Sequence, residues 1–387
     1  MTLHPFQQSL ATPRFLGVEN ADALKAEIRQ ILSESDAFGL DWDGAWLEKV
    51  FAAYQQPHRY FHNLSHLREV CRLVLRLGLA KRSTTELLLS ALFHDVYWFP
   101  QCKRNEAHSA EVFDLLRPSL GAELPEASVK AIHQIILSSK GQKPVSERAV
   151  KFHECDCQVL LHGSPVDLLA YEFQIFREFQ YLSIEDYRKG RASFFERFSR
   201  RFPECRKNMR FLIEYLERRR PRVGIYAGSF NPFHIGHLSI LQKAELMFDK
   251  VIVAVGVNPE KGASPQDRKG RREAEKLRDD TLPFHEVVFF DNLMVDLLDQ
   301  ESKFCDVTLV RGLRNGYDLD YETSQQCFMQ EMRPETHSVY IPCDKALEHI
   351  SSSALRGLRL FDCHGREEIY FPHLYDYYGK SVQELFG

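Results

Sequence analysis

Up to about Arg220, apolar side chains recur three and four positions apart. The stretches "LSHLREVCRLVLRLGL", "TTELLLSALFHDV", "AHSAEVFDLL", "ASVKAIHQIIL" and "MRFLIEYLERRR" each read as a helix, and β-branched runs are scarce. From Val223 the texture changes. Short runs rich in Val, Ile and Phe ("VGIYAG", "KVIVAVGV", "HEVVFF", "VTLVRGL", "HSVYIP") alternate with helical stretches. The alternation predicts a parallel sheet with helices on both faces. Two domains are therefore expected: an all-α domain over 1–220 and an α/β, Rossmann-like domain over 221–387. The basic "ERRRPR" at 217–222, where Pro221 stops a helix, marks the join. The charged "EKGASPQDRKGRREAEKLRDD" reads as a loop entering an exposed helix.

Composition narrows the classes. A chain of 387 residues suits two domains of ordinary size. With 44% hydrophobic residues and a net charge of -4, it has the make-up of a globular protein without a general affinity for nucleic acid or membranes. The most apolar run, "LLLSALFHDVYWF", is too short and too polar to span a bilayer. No secretory signal is read in "MTLHPFQQSLATPRF". Nine scattered cysteines without a CxxC pair point to a reduced, cytoplasmic protein lacking a zinc knuckle.

The densest chemistry in the second half is "YAGSFNPFHIGH", Tyr226 to His237, between a strand and a helix. A helix start offers unpaired N–H groups and partial positive charge, which suit a phosphate. Gly228 allows a tight turn, and His234 and His237, three apart, share one side of the first helical turn. Either both imidazoles donate to phosphate oxygens, or one caps the helix and the other lies at the surface. Arg311 and Arg314 follow the strand "VTLV", where an open parallel sheet binds its ligands. "ISSSALR" adds Ser351, Ser352, Ser353 and Arg356 at another helix start.

Together, "YAGSFNPFHIGHLSIL", "KVIVAVGVNPEK", "NLMVDLL", "VRGLRNGYDLDYE" and "ISSSALR" resemble phosphopantetheine adenylyltransferases over 223–375. The resemblance implies a Rossmann-like fold that transfers AMP from ATP to 4′-phosphopantetheine, with Mg²⁺ accompanying ATP. It implies His237, Lys261 and Arg311 as catalytic residues at the reacting phosphates. It places Ser229 and Phe230 beside acceptor and nucleotide, and Arg314, Glu322 and Ser351 to Ser353 on ATP. Leu293 and Met294 would line the pantetheine arm, and His234 would belong to the nucleotide site. Two positions depart: Asn231 stands where the family has aspartate, and His234 where it has threonine. A histidine at that place is commoner in nicotinate mononucleotide adenylyltransferases.

In the first half, His94 and Asp95 lie within a run that reads as a buried helix. A buried polar pair needs partners, supplied by a metal or by a hydrogen-bond network. His62 and His66 stand four apart at a predicted helix head, and Asp156 follows later. Two histidines and two carboxylates from separate helices suit Mn²⁺, Mg²⁺ or Fe²⁺. "RYFHNLSHL", "ALFHDVYW", "NEAHSAEVF", "ECDCQVLLHG" and "FREFQYLSIEDYRKGRASFFERF" resemble the HD-domain metal-dependent phosphohydrolases over about 50–200. The resemblance implies His66, His94, Asp95 and Asp156 as metal ligands, with His62, Asn105 and Glu106 nearby. His133 is either a further ligand or a helix-surface residue, and Lys140 stands in a region where the family often has histidine.

The joint expectation is a bifunctional cytoplasmic enzyme: an adenylyltransferase fused to a phosphohydrolase acting on an unknown phosphoester. Its partners are small molecules, neither nucleic acid nor membrane, and a homo-oligomer is compatible with the resemblance. The alternative is a nicotinate or nicotinamide mononucleotide adenylyltransferase whose helical domain senses a metal or ligand without turnover.

Overall fold

The computed structural model describes residues 20–138, 146–256, 268–358, 360–361 and 365–387. These residues form two compact units that interleave along the chain. A helical unit takes the described residues of Thr12–Glu178, together with Phe195–Leu212 and Gly379–Gly387. A sheet unit includes Phe179–Phe194 and Ile213–Tyr378.

The helical unit begins with α1 (Ala21–Glu34), α2 (Ala45–Tyr54), α3 (Leu64–Arg76), α4 (Lys81–Phe93) and α5 (Asn105–Leu116). It continues through α6 (Glu126–Ser138), α7 (Glu147–Asp156), α8 (Gln158–His162) and α9 (Pro165–Glu178). Helices α10 (Ile184–Arg201) and α11 (Arg206–Arg218) follow; of these the helical unit takes only Phe195–Leu212. Helix α4 is buried on every side from Thr84 to Phe93, with Leu87, Leu88, Leu89, Ala91, Leu92 and Phe93 fully buried, as a central helix requires. The buried Glu86 on α4 accepts from Ser128 of α6 at 2.7 Å and pairs with Arg148 of α7. A carboxylate removed from water is thereby satisfied by two neighbouring helices.

The sequence places His94 and Asp95 inside a helix, but α4 stops at Phe93 and His94 is its C-cap. The Ala91 carbonyl, which another helical turn would use, accepts instead from His94 Nδ1 at 2.8 Å and Tyr54 Oη at 3.2 Å. The His-Asp pair therefore sits in the turn after the most buried helix. At the far end of the chain, α17 (Val382–Phe386; α12 to α16 belong to the sheet unit) belongs to this unit. Phe386 is buried, and Lys49 Nζ donates to the carbonyls of Phe386 and Gly387 at 2.6 and 2.8 Å.

The sheet unit carries β1 (Arg222–Gly228), α12 (Ile235–Glu245), β2 (Lys250–Gly256), α13 (Arg268–Lys276) and β3 (Val287–Phe290). Then come α14 (Met294–Glu301), β4 (Asp306–Leu313), α15 (Gly316–Met332), β5 (Ser338–Pro342) and α16 (Ser352–Leu358). All strand pairs are parallel, in the order β3-β2-β1-β4-β5. The inner strands β1 and β2 are nearly continuous apolar runs because helices cover both faces. One face packs Ile225, Ala227, Ala254 and Leu309 against Leu297, Leu298 and Met329. At the lower end of β2 the fully buried Lys250 donates to the carbonyls of Gln180 and Leu182 and pairs with Glu286 at 2.6 Å. This contact ties Phe179–Phe194 to the sheet. Among the described residues, no helix is long and apolar enough to cross a membrane.

Candidate functional site

In the sheet unit, β1 is central and the chain order reverses between β1 and β4. Ligands of open parallel sheets bind at the carboxyl ends of strands flanking such a reversal. A cavity of about 440 Å³ opens there, lined by Ser229, Phe230, His234, His237, Arg311, Arg314, Glu322 and Ser351 to Ser353. Those ten expected residues come together. Leu293 and Met294 do not line the cavity: Leu293 is exposed as the N-cap of α14, and Met294 packs against the core behind the sheet. Lys261 lies outside the described residues.

The turn after β1 is shaped by close approach. A Cβ on Gly228 would meet the Phe230 ring at 2.9 Å, and one on Gly236 would meet His234 at 3.0 Å. Phe230 itself adopts φ +40°. The rings of His234 and His237 stack with centroids 3.6 Å apart and planes 22° apart. The His234 backbone N–H donates to His237 Nδ1 at 3.2 Å. In the neutral ring the proton of His237 must then sit on Nε2, leaving that edge as a donor. Burial, the other imidazole and Arg314 hold the His237 pKa well below its ordinary value. Burial, followed by Arg314, lowers that of His234 to about 4. Two adjoining imidazoles therefore stay neutral at pH 7.

This pair gives the sheet unit an acid-sensitive limb. The unfolded His234 ring takes a proton near its ordinary 6.5, whereas the folded ring resists until about 4. Between those values the unfolded state binds more protons, so stability falls as pH drops from 6.5 toward 4. The substitution His234→Gln should flatten that limb. Urea midpoints of the sheet unit at pH 7 and 4.5 should differ less in the variant, and an unchanged difference would contradict this account.

The two arginines are held differently. Arg311 Nη1 donates to the Ala227 carbonyl at 2.9 Å, and its Nε lies 3.0 Å from Glu322. Arg314 makes a two-point bond to Asp318, at 3.0 Å from both Nε and Nη2. Asp318 was not singled out in the sequence, although its spacing of four from Arg314 fits a helical pair. Gly312 and Cys343 also line the cavity without a local signal.

The helical unit gathers a second constellation. One donor atom each from His66, His94, Asp95 and Asp156 lies within 4.8 Å of all the others. His66 heads α3, where Asn63 caps the helix by accepting from Ser65 and His66 N–H groups. Asp156 closes α7. Nε2 of His94 lies 3.1 Å from Asp95 and 3.3 Å from Asp156, and Nε2 of His66 lies 3.2 Å from Asp156. Both Nε2 atoms are buried without an aligned hydrogen bond. Because His94 Nδ1 donates to Ala91, its Nε2 carries the lone pair in the neutral ring. Burial opposes ionisation of Asp156, but the His94 and His66 imidazoles outweigh it and hold the carboxyl well below its usual range. Two orphaned imidazole nitrogens facing two ionised carboxylates form a donor set that fits a divalent cation.

Around this cluster, buried Arg59 donates to the carbonyls of Asp95, at 2.7 Å, and Val96, at 2.9 Å, fixing the turn after α4. Glu178, buried at the end of α9, accepts from the N–H groups of Tyr60, Phe61 and His62 on one oxygen. Its other oxygen takes His62 Nδ1 at 2.6 Å and Trp98 Nε1 at 3.2 Å. His62 Nε2 is thereby set 3.9 Å from Asp95, beside the cluster and not within it. Sequence reading missed Glu178, which stands 116 positions from His62. Asn105 bonds the backbone of Phe99 and shapes a loop. His133 pairs with Asp114 at 2.9 Å and stays outside the cluster. Lys140 lies outside the described residues.

The parallel sheet, its β1/β4 crevice and the histidine-bearing turn define a cytidylyltransferase-like nucleotide-binding domain, and that family matches residues 225–358. Among similar proteins, a phosphopantetheine adenylyltransferase of Mycoplasma capricolum is 35% identical over 140 residues, which is 36% of this chain and 98% of the relative. One of Agrobacterium fabrum is 37% identical over 142 residues, 35% of this chain and 84% of the relative. One of Streptococcus suis is 34% identical over 140 residues, 36% of this chain and 85% of the relative. Through its sheet unit, the chain belongs to the phosphopantetheine adenylyltransferase family.

Proposed function

We propose that the sheet unit transfers an adenylyl group from ATP to 4′-phosphopantetheine, and that the helical unit is a metal-dependent phosphohydrolase. The observation that carries the first reading is the convergence of His237, Arg311, Arg314 and Ser229 on one cavity at the β1/β4 crevice. In the transfer, a phosphate oxygen of the acceptor attacks the α-phosphorus of ATP, and the bond to the pyrophosphate oxygen breaks. The Nε2–H of His237 donates to the charge developing on the phosphoryl oxygens, and Arg311 and Arg314 hold anionic groups of the two substrates. No enzyme nucleophile is required, since positioning and electrostatics suffice. Mg²⁺ arriving with ATP would neutralise part of the triphosphate charge.

The helical reading is supported by the donor set of His66, His94, Asp95 and Asp156 and its two orphaned nitrogens. A divalent ion held there would lower the pKa of a bound water and polarise a phosphoryl oxygen. His94 is oriented for this by the Ala91 carbonyl, and Glu178 sets the ring of His62 beside the site. A cavity of about 370 Å³ opens onto His66 and Asp156 and offers space for a phosphoester.

Pyrophosphate release from ATP and Mg²⁺ should require 4′-phosphopantetheine, and nicotinate mononucleotide should not replace it. Release with the mononucleotide alone would reassign the acceptor through His234. With Mn²⁺, the unaltered chain should release p-nitrophenol from p-nitrophenyl phosphate or its bis ester. Bound Mn²⁺ without turnover on either would favour a sensing role.

A further inference from the structure

We propose that Arg356 and Ser352 are positioning residues for adenylyl transfer, clamping the turn that presents Ser229, Phe230 and His237 to the cavity. The proposal rests on the adenylyl-transfer reading above. The serine-rich start of α16 suits triphosphate in the sequence, yet its three hydroxyls are engaged with protein. Ser351 Oγ accepts from the Ala354 N–H at 3.1 Å, Ser352 Oγ donates to the Pro232 carbonyl at 3.0 Å, and Ser353 Oγ accepts from Arg356 Nη2 at 3.0 Å. Arg356 Nη1 donates to the Asn231 carbonyl. Two successive carbonyls of the turn are thus gripped by side chains one helical turn apart, which share a face of α16. The grip on Asn231 comes from a cation, the stronger kind of hydrogen bond.

The turn needs holding. Phe230, at φ +40°, occupies backbone space that a bulky residue adopts only when its surroundings impose it. From the helix side, His237 Nδ1 takes the His234 N–H. From the opposite side, the clamp fixes Asn231 and Pro232 by their carbonyls. The platform is firm: Leu355 of α16 is buried in one apolar cluster with Ile350, Leu347 and Ile235, the first residue of α12. Arg356, half-buried and turned onto the turn's backbone, is absent from the cavity lining. Its charge therefore serves the geometry of the site and does not contact the triphosphate.

A clamp and a triphosphate ligand differ kinetically. Pyrophosphate release would be measured for the full chain, R356A and S352A, with ATP varied at saturating 4′-phosphopantetheine and with pyrophosphate as product inhibitor. Circular dichroism would establish that each variant is folded. For R356A, kcat should fall about tenfold or more while the KM for ATP and the inhibition by pyrophosphate move less than about threefold. S352A should shift kcat in the same direction by about threefold, and it decides the matter if R356A does not fold. A KM for ATP raised about tenfold, with pyrophosphate inhibition weakened and kcat kept, would make Arg356 a direct triphosphate ligand and overturn the clamp. Unchanged kcat in the folded variants would overturn it as well. If the unaltered chain releases no pyrophosphate, the adenylyl-transfer reading fails, and the clamp with it.

Discussion

Replacing His237 by alanine should lower kcat for pyrophosphate release by about 10²–10³, the usual cost of removing one donor aimed at transition-state charge. The expectation follows from a chain of hydrogen bonds. The His234 N–H occupies Nδ1 of His237, so the neutral ring presents Nε2–H. Burial keeps the ring neutral, so Nδ1 stays an acceptor for that N–H and the ring keeps its orientation. The rate loss should therefore come from a missing hydrogen bond and show little change in pH profile above pH 6. Asparagine at 237 should recover part of the rate if its amide reaches the same phosphoryl oxygen. A near-normal rate for the alanine variant would remove His237 from the chemistry and leave it as the partner of the His234 backbone.

The second large effect concerns the helical unit. Asp156→Ala should abolish stoichiometric binding of Mn²⁺, measured on the purified chain by elemental analysis, and leave pyrophosphate release intact. Asp156 is the carboxylate shared by both orphaned imidazoles, at 3.2 Å from His66 and 3.3 Å from His94. Without it, His66 loses its carboxylate neighbour and His94 keeps only Asp95, at 3.1 Å, so one of the two anionic ligands is gone and cation affinity should fall by orders of magnitude. Glu178→Gln should act differently. It leaves all four cluster donors in place, so the metal should be retained while hydrolysis of p-nitrophenyl phosphate falls. Retention of Mn²⁺ in the Asp156 variant would contradict the ligand set, and loss of transfer with it would reveal dependence of one unit on the other.

Much of both sites was legible because each rests on local signals. Helix starts, strand ends and the spacing of apolar positions place "YAGSFNPFHIGH" and "VRGLR" at strand termini without knowledge of the tertiary fold. Parallel pairing then brings those termini to one edge. The His-Asp pair was conspicuous because two polar residues follow an apolar run. What stayed hidden depends on long separations or on competition for a single group. Glu178 reaches His62 across 116 positions. The end of α4 at Phe93 depends on two side chains capturing the Ala91 carbonyl, one of them Tyr54 from another helix. The resemblance assigns Leu293 and Met294 to the pantetheine arm; Leu293 is exposed, Met294 packs against the core, and neither lines the β1/β4 cavity. The engagement of Ser351 to Ser353 with the protein's own backbone and Arg356 is likewise invisible in "ISSSALR". Serines at a helix start serve equally as caps and as anion donors.

The closing helix has a consequence for how the chain is made. Lys49 holds the carbonyls of Phe386 and Gly387, and Phe386 is buried in a unit whose other described helices begin at Ala21. During synthesis from the amino end, most of the helical unit emerges before the sheet strands, yet α17 emerges after them. The sheet unit can therefore complete its parallel strands while its predecessor still waits for α17. A ribosome that stops before Val382 would release a finished nucleotide-binding domain joined to an unfinished helical one.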